Sequence, residues 1–313
     1  MVQRLLEATF SDVDEMCAAV RSWNLDFRPL YAPVECSGVG RIIQQSCGPL
    51  EVGYARFLVS VEQGGTPPTG ALTLVVPEEG MRRLWWRGHD VDAGTVLVFP
   101  VGGELRSYSG PDFEVFTVSV GEECVAKLRE CLAISPPVAR LCPETFRPPR
   151  QVLAMLRWRL RRLTGAAGCG HDLEAKQLIE ELVLAWLRAS ASASERRQPM
   201  RARDRAIKKC LERIEQADWT ELTPGVLCEV GRVGERTLQY AFRERYGLTP
   251  AAFLKMRRLA EVRRRLLQPY SSDAKVGDVA ASLGFWHVGQ FAADYRRAYG
   301  ETPSQTLGRS SGA

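Results

Sequence analysis

The chain has 313 residues, 45% of them hydrophobic, enough for two independent cores, and a formal charge of +5. No run of eighteen apolar residues occurs, and the start Met1-Val2-Gln3-Arg4 lacks a signal-peptide core, so a soluble cytoplasmic protein is expected. The charge is uneven: residues 201–313 hold 20 Lys and Arg against 13 Asp and Glu (+7), and residues 1–200 hold 22 against 24 (−2).

A short helix is expected around Asp12 to Ser22. From about Leu50 to Val120 alternating apolar residues are broken by Gly and Pro. Leu72-Leu74-Val76, Val96-Val98 and Val115-Thr117-Ser119 read as half-buried strands, with turns at Gly64-Gly65, Glu79-Gly80, Gly102-Gly103 and Gly110-Pro111. Short strands at this spacing favour a sandwich or small barrel. A barrel of that size can hold a ligand or a partner. Trp85, Trp86, Arg87, Glu104, Arg106 and Tyr108 are candidate lining residues, set against the commoner role of strand aromatics in packing.

Next comes a helical hairpin, residues 151–189. Val152, Met155, Leu156 and Leu163 form one stripe; Leu178, Ile179, Leu182, Val183 and Trp186 form another. These faces can dock on the barrel or pair with a second subunit. Ser190 to Pro199 reads as a linker (residues 190–200).

The last ninety residues repeat. A shift of 53 lays Val226-Leu227-Cys228-Glu229-Val230-Gly231 on Val279-Ala280-Ala281-Ser282-Leu283-Gly284, and Leu238, Phe242, Tyr246, Gly247, Thr249 and Pro250 on Phe291, Tyr295, Tyr299, Gly300, Thr302 and Pro303. Each copy reads as a short helix, a turn, a second helix stopped by Gly, and a Thr-Pro cap, which is helix-turn-helix grammar. In the first copy Thr223 and Pro224 start the helix and Gly231 is expected to end it in the left-handed conformation. Leu238, Ala241 and Phe242 should face the core, leaving Arg236, Gln239, Tyr240 and Arg243 exposed, types that bond guanine and adenine in the major groove. In the second, Leu283, Phe285, Phe291 and Tyr295 should form the core, with His287, Gln290, Asp294 and Arg297 along the exposed stripe beside Ala293. Asp294 repels phosphate unless it accepts from cytosine or pairs with an Arg, so this unit is expected to discriminate less sharply. A helix from about Pro250 to Leu267 joins the units. Its Arg257, Arg258, Arg263, Arg264 and Arg265 are either backbone-phosphate contacts or a solvated face.

With these strings in place, residues 200–308 resemble the AraC/XylS family of bacterial transcription regulators. The resemblance rests on Gly231 to Pro250, the joining helix, Val279 to Phe285, and the following Phe291, Tyr295, Gly300, Thr302 and Pro303. It implies a seven-helix DNA-binding domain (201–308) that reads two successive major-groove segments. By position it places Arg236, Gln239 and Tyr240, and Val288, Gly289 and Ala293, at base-contacting sites. Departures stand at Gly234 and Trp286, where the family usually has Ser or Thr, and at Lys275, where it has a cap; Trp cannot cap a helix. The family's N-terminal domains are often cupin-type jelly rolls, which Asp92-Ala93-Gly94-Thr95-Val96-Leu97-Val98-Phe99-Pro100 resembles, and family members usually dimerise through such a hairpin. The expected fold is therefore α+β and multidomain: a cupin-like barrel or jelly roll (1–150) with a helical hairpin, then an all-α domain with two helix-turn-helix units.

Nine scattered cysteines contain no CxxC pair, and the three histidines are dispersed, with Cys169-Gly170-His171 the one Cys/His neighbourhood. Reduced core thiols, no metal and no cofactor are expected, and catalysis is not, since a cupin enzyme needs clustered histidines and only His89 lies in the strand region. The sequence reading is a regulator whose partners are double-stranded DNA, a small-molecule effector and a second copy of the chain. Contact with RNA polymerase is left open and no membrane is involved. The alternative keeps DNA binding and makes the N-terminal domain a protein-interaction module.

Overall fold

Every residue of Ala71–Pro77 is buried, although a strand with one wet face would alternate. A computed structural model of the chain shows why: one face of this strand looks into the space between two sheets and the other lies under a helix. The structure describes residues 2–31, 38–47, 50–81, 84–86, 89–99, 102–131, 144–165, 177, 181–182, 184–186, 202–216, 218–268 and 275–310. Compact units comprise residues 1–27, 37–58 and 63–198, and residues 28–36, 59–62 and 199–313.

The first domain runs β1 (Val2–Phe10), α1 (Val13–Ala19), β2 (Asn24–Tyr31), β3 (Gly40–Cys47), β4 (Leu50–Phe57), β5 (Ser60–Thr66), β6 (Ala71–Pro77), β7 (Leu84–Trp86), β8 (His89–Val91), β9 (Val96–Phe99), β10 (Leu105–Ser109), β11 (Phe113–Gly121), α2 (Glu122–Cys131), β12 (Thr145–Phe146) and α3 (Arg150–Thr164). Asp12 caps α1 by accepting from the Asp14 and Glu15 amides. One antiparallel sheet has the order β1-β3-β4-β11-β6-β9-β12; the other has the order β2-β5-β10-β7-β8. Two antiparallel sheets are thus present in the region read as strands from sequence, but the strands start earlier, with three before Leu50. Gly64 and Gly65 are not a turn. They lie in β5, where a Cβ on Gly65 would stand 1.9 Å from the Asn24 carbonyl oxygen, and the chain turns instead near Gly70 (φ 71°). The tight turn at Asp92 is held by its carboxylate, which accepts from the Gly94 amide and the Thr95 hydroxyl.

Leu153, Leu156, Leu160 and Leu163 of α3, with Leu182 and Trp186 of the second hairpin helix, pack on Leu72, Leu74, Val76, Phe116, Val118 and Val120 of the large sheet. Met155, which the sequence reading placed on this stripe, is exposed. Arg161 adds a two-pronged bond to Glu78 (2.7 and 2.6 Å), and Arg157 donates to the Pro77 carbonyl at 2.8 Å. Burial pushes the Glu78 carboxyl up, but the bonds from Arg161 and the Glu79 amide outweigh it and hold it below the usual range. Among the described residues the hairpin's apolar stripe thus packs on the large sheet, while Leu178, Ile179 and Val183 lie outside the described residues. Cys169-Gly170-His171 and Ser190 to Pro199 lie outside the described residues.

The second unit carries α4 (Ala202–Gln216), α5 (Pro224–Gly231), α6 (Glu235–Tyr246), α7 (Pro250–Leu267), α8 (Val276–Ser282), α9 (Val288–Tyr299) and α10 (Pro303–Ser310), seven helices among the described residues. Phe242, Tyr246 and Phe253 stack at ring separations of 4.5–5.5 Å where α6 meets α7. Leu259, Val262, Leu266, Val279, Leu283, Phe291 and Tyr295 form the matching core of the second half. No described helix is long and apolar enough to cross a membrane.

Candidate nucleic-acid interface

Two twelve-residue helices, α6 and α9, begin and end 53 residues apart, each preceded by a shorter helix and a tight turn. Thr223 accepts from the Val226 amide at 3.3 Å and Thr249 from the Ala252 amide at 3.2 Å, so the first unit starts α5 and α7 with satisfied caps. Gly247 and Gly300 end α6 and α9 in the left-handed conformation (φ 67° and 72°). The end of α5 differs from expectation. Arg232, not Gly231, takes the left-handed turn (φ 51°), and Gly231 is the buried last helical residue. A Cβ there would press on Val233, Ala206 and Cys210 at 3.3–3.4 Å, so the glycine serves the packing of α5 on α4.

On α6, Leu238, Ala241, Phe242 and Tyr246 are buried, while Arg236, Tyr240 and Arg243 are exposed and Gln239 partly so. At 100° per residue those four span an arc of about 100°. Gln239 donates to Glu235 at 3.1 Å, and the Arg236 guanidinium sits 5.8 Å from the Tyr240 ring centre. Among the described residues Arg232, Arg236 and Arg243 make no ion pair, so their donors stay available to an anion or a base edge. By contrast the arginines of α7 are engaged. Arg263 bonds Glu301 at 2.6 Å, Arg264 and Arg265 bond Glu261 at 2.6 and 2.9 Å, Arg258 donates to the Trp219 and Leu222 carbonyls at 2.9 and 2.5 Å, and Arg257 is buried. Arg258 and Arg263 thus tie α7 to its surroundings, whereas Arg264, half-exposed, and Arg265 pair with Glu261 of the same helix.

In the second unit His287, Gln290, Ala293 and Arg297 are exposed as expected, and Asp294 departs from that stripe. His287 is the N-cap residue of α9, without a side-chain cap bond, and Trp286 lies one position outside the helix. Asp294 is buried, bonded to Lys255 at 3.2 Å and Arg297 at 3.3 Å, so it presents no carboxylate to phosphate and occupies Arg297. Gln290 and Arg297 are exposed beside the face, not on its centre. The positions that match Arg236, Gln239, Tyr240 and Arg243 by the 53-residue shift are Gly289, Ala292, Ala293 and Arg296. Arg296 was missed by the stripe reading, although the shift itself points to it. Glu301 also holds Arg309 at 3.1 Å and accepts from Thr306, whose hydroxyl accepts from the Tyr295 hydroxyl at 2.9 Å, a network that locks α10 to α9.

In the first domain a cavity of about 80 Å³ lies between the sheets, several times the roughly 10–15 Å³ one water needs. Across the large sheet Gln44, Gly53, Thr117 and Val75 stand in register and all line it. Phe27, Phe57, Trp86, Phe99 and Phe113 supply aromatic walls. Of the six candidates from sequence, Trp86 alone lines the cavity among the described residues. Strand alternation explains this: Leu84, Trp86, Leu105 and Ser107 face inward, which puts Trp85, Arg106 and Tyr108 on the opposite face. Arg106 pairs with Glu104 at 3.1 Å on the surface, and Arg87 lies outside the described residues. Inside, Gln63 bonds Ser109 and Ser107 at 3.0 and 2.5 Å. No group of three or more potential metal ligands occurs among the described residues. Burial pushes the thiols of Cys17 and Cys210 up to about 12, which leaves little thiolate at neutral pH.

A family model for a helix-turn-helix domain matches residues 227–309. Over 83 residues the chain is 37% identical to a XylDLEGF operon transcriptional activator of Pseudomonas putida, covering 26% of this chain and 25% of that one. A solved structure of a probable AraC family transcriptional regulator from Rhodopseudomonas palustris is 34% identical over 96% of its own length and 34% of this chain, with a TM-score of 0.31. The chain belongs to the AraC/XylS family. A probable thc operon regulatory protein of Rhodococcus erythropolis is 36% identical over 87 residues, covering 27% of this chain and 26% of that one. The chain spans about a quarter of the length of these curated relatives, and the residues matched by the family model, 227–309, hold α6 and α9.

Proposed function

We propose that this AraC/XylS family member is a transcription regulator that binds double-stranded DNA through α6 and α9 and answers to a small molecule held between the sheets of its first domain. The observation that carries DNA binding is the exposed, unpaired set Arg236 and Arg243 on α6, repeated in placement by Arg296 on α9. Arg236, Gln239, Tyr240 and Arg243 read base edges in one major-groove segment, and Gln290 and Arg297 flank the second contact, with His287 at its edge. The cavity favours a compact, largely apolar effector of about one ring, oriented by the amides of Gln44 and Gln63 and the hydroxyls of Ser107 and Thr117. Its binding would bias the DNA-bound conformation. Met155 and Trp158, exposed on α3, are the face left for a second copy. A relative is named as a transcriptional activator, and activation is the sign of regulation in this reading.

The test is selection of bound duplexes from a random pool by the full chain at physiological salt. Enrichment of paired motifs about one helical turn apart is the expected result; no enrichment, with or without the regulator's lysate-derived small molecules, rejects the proposal. A specific compound that raises the melting temperature of the full chain, and fails to do so in Phe99→Ala, would support the cavity as the effector site over a protein-interaction role for that domain.

A further inference from the structure

Two large apolar side chains stand in water at the start of α9: Trp286 is 73% exposed and Val288 60%. They border the face that the 53-residue shift matches to the Arg236–Tyr240 face of α6, and on that face α9 offers Gly289, Ala292 and Ala293. None of these five can donate to or accept from a base edge in the major groove, save the single indole N–H. Gly289 is not required by the fold. A Cβ there would meet nothing within 4 Å, and glycine is a poor helix former, so the missing side chain leaves room outside the chain. Exposed cations flank the patch at Arg296 and Arg297, while the buried Asp294 carboxylate is held by Lys255 and Arg297. An apolar edge framed by positive charge, continuous with the face that meets DNA, matches one feature of the major groove: the thymine 5-methyl group beside the phosphates.

We infer that the second unit reads thymine methyl groups, through Trp286, Val288 and Ala293, with α9 seated close to the groove floor by Gly289. The inference rests on the DNA-binding reading above, and the experiment separates the two. Duplexes enriched by the full chain are first probed with Arg236→Ala, and the half-site whose base preferences survive is assigned to α9. Each thymine in that half is then replaced by deoxyuridine, which keeps the O4 acceptor and loses only the methyl.

The expected result is about fourfold weaker binding for each contacted methyl lost, with less than about twofold from the same replacements in the α6 half. Trp286→Ala and Val288→Ala should weaken binding to the thymine duplex and abolish the difference between thymine and deoxyuridine. Both residues are exposed, so the variants should melt as the parent does. Gly289→Ala should hold or raise the melting temperature while weakening the same half-site. A half-site without A·T pairs, or affinity indifferent to deoxyuridine, would overturn the inference and leave DNA binding intact. So would a Trp286→Ala variant that binds both duplexes as the parent does but fails to activate a reporter, which would assign the patch to a protein partner. Enrichment of no duplex at all would sink the DNA-binding reading, and this one with it.

Discussion

Helix α6 and helix α9 have one length, one kind of C-terminal glycine stop and three buried positions in common, yet they show solvent opposite chemistries. Leu238, Phe242 and Tyr246 on one, and Phe291, Tyr295 and Tyr299 on the other, keep the packing positions aromatic or aliphatic. The exposed arc is Arg, Gln, Tyr, Arg in the first and Gly, Ala, Ala, Arg in the second. A duplicated scaffold is held by residues the two copies must share, because a core tolerates little change in volume. Its outward face is free to diverge. Two units joined by one helix can thus divide the work, one bonding base edges and the other fitting against them.

The strongest attack on this comparison is on the shared scaffold. Phe242 and Phe291 are both fully buried, and replacing either by Ala should cost about 3–5 kcal/mol. Urea denaturation of the two variants measures it. A much smaller cost for Phe291→Ala would show that the second unit is not an equal partner in stability, and the argument from matched scaffolds would fail. Asp294→Ala should cost less, about 1–3 kcal/mol, because its partners Lys255 and Arg297 are half-exposed and can turn to water. The same change frees two cations beside the groove. The slope of log affinity against log salt should steepen by about one for each that reaches a phosphate, and an unchanged slope would place both away from DNA.

Arg236→Ala sharpens the contrast on the reading side. Discrimination at one base position should fall by about 1–3 kcal/mol, and only in the half-site that α6 occupies. Equal weakening on every sequence would recast Arg236 as a phosphate contact. The reciprocal change, Gly289→Arg, asks whether α9 lacks only side chains. A new guanine preference in the second half-site, read by repeating the duplex selection, is the expected outcome.

The scaffold of both units was legible because it repeats: the 53-residue shift placed Leu238, Phe242, Phe291 and Tyr295 correctly, and the joining helix to the residue. On the outward face of α9, His287, Gln290, Ala293 and Arg297 are exposed as expected and Asp294 is not. His287, Gln290, Asp294 and Arg297 do fall on a helical stripe, but one rotated by about 100° from the face that Gly289 and Ala293 occupy, and only contact with Lys255 reveals that Asp294 turns inward. The fate of the α7 arginines was hidden for another reason. The partners of Arg263 and Arg258, Glu301 and the Trp219 and Leu222 carbonyls, are 36–39 residues away in sequence. In the first domain, strands buried on both faces lose the alternation that marks an inside. Ala71–Pro77 is apolar throughout, so the cavity side could be told only once Gln44, Gly53, Thr117 and Val75 were seen in register.

The smallest expected difference between the units lies at their first turns. Thr223 caps α5 with its hydroxyl, whereas Lys275, in the same extended backbone conformation ahead of α8 (φ −90°, ψ 135°), offers no side-chain bond to the freed amides. Lysine has no acceptor, so the conformation of a cap is present without its chemistry. Thr223→Ala should therefore cost about 1 kcal/mol, while Lys275→Ser should gain about 0.5–1 kcal/mol, helped by Asp278 three residues on, which can return a bond in a reciprocal cap. Denaturation midpoints resolve both. A null result for Lys275→Ser would mean that the α8 amides are already satisfied by water at no cost. A gain accompanied by unchanged deoxyuridine discrimination would show that the loose start of the second unit and its apolar reading are separate consequences of its divergence from the first.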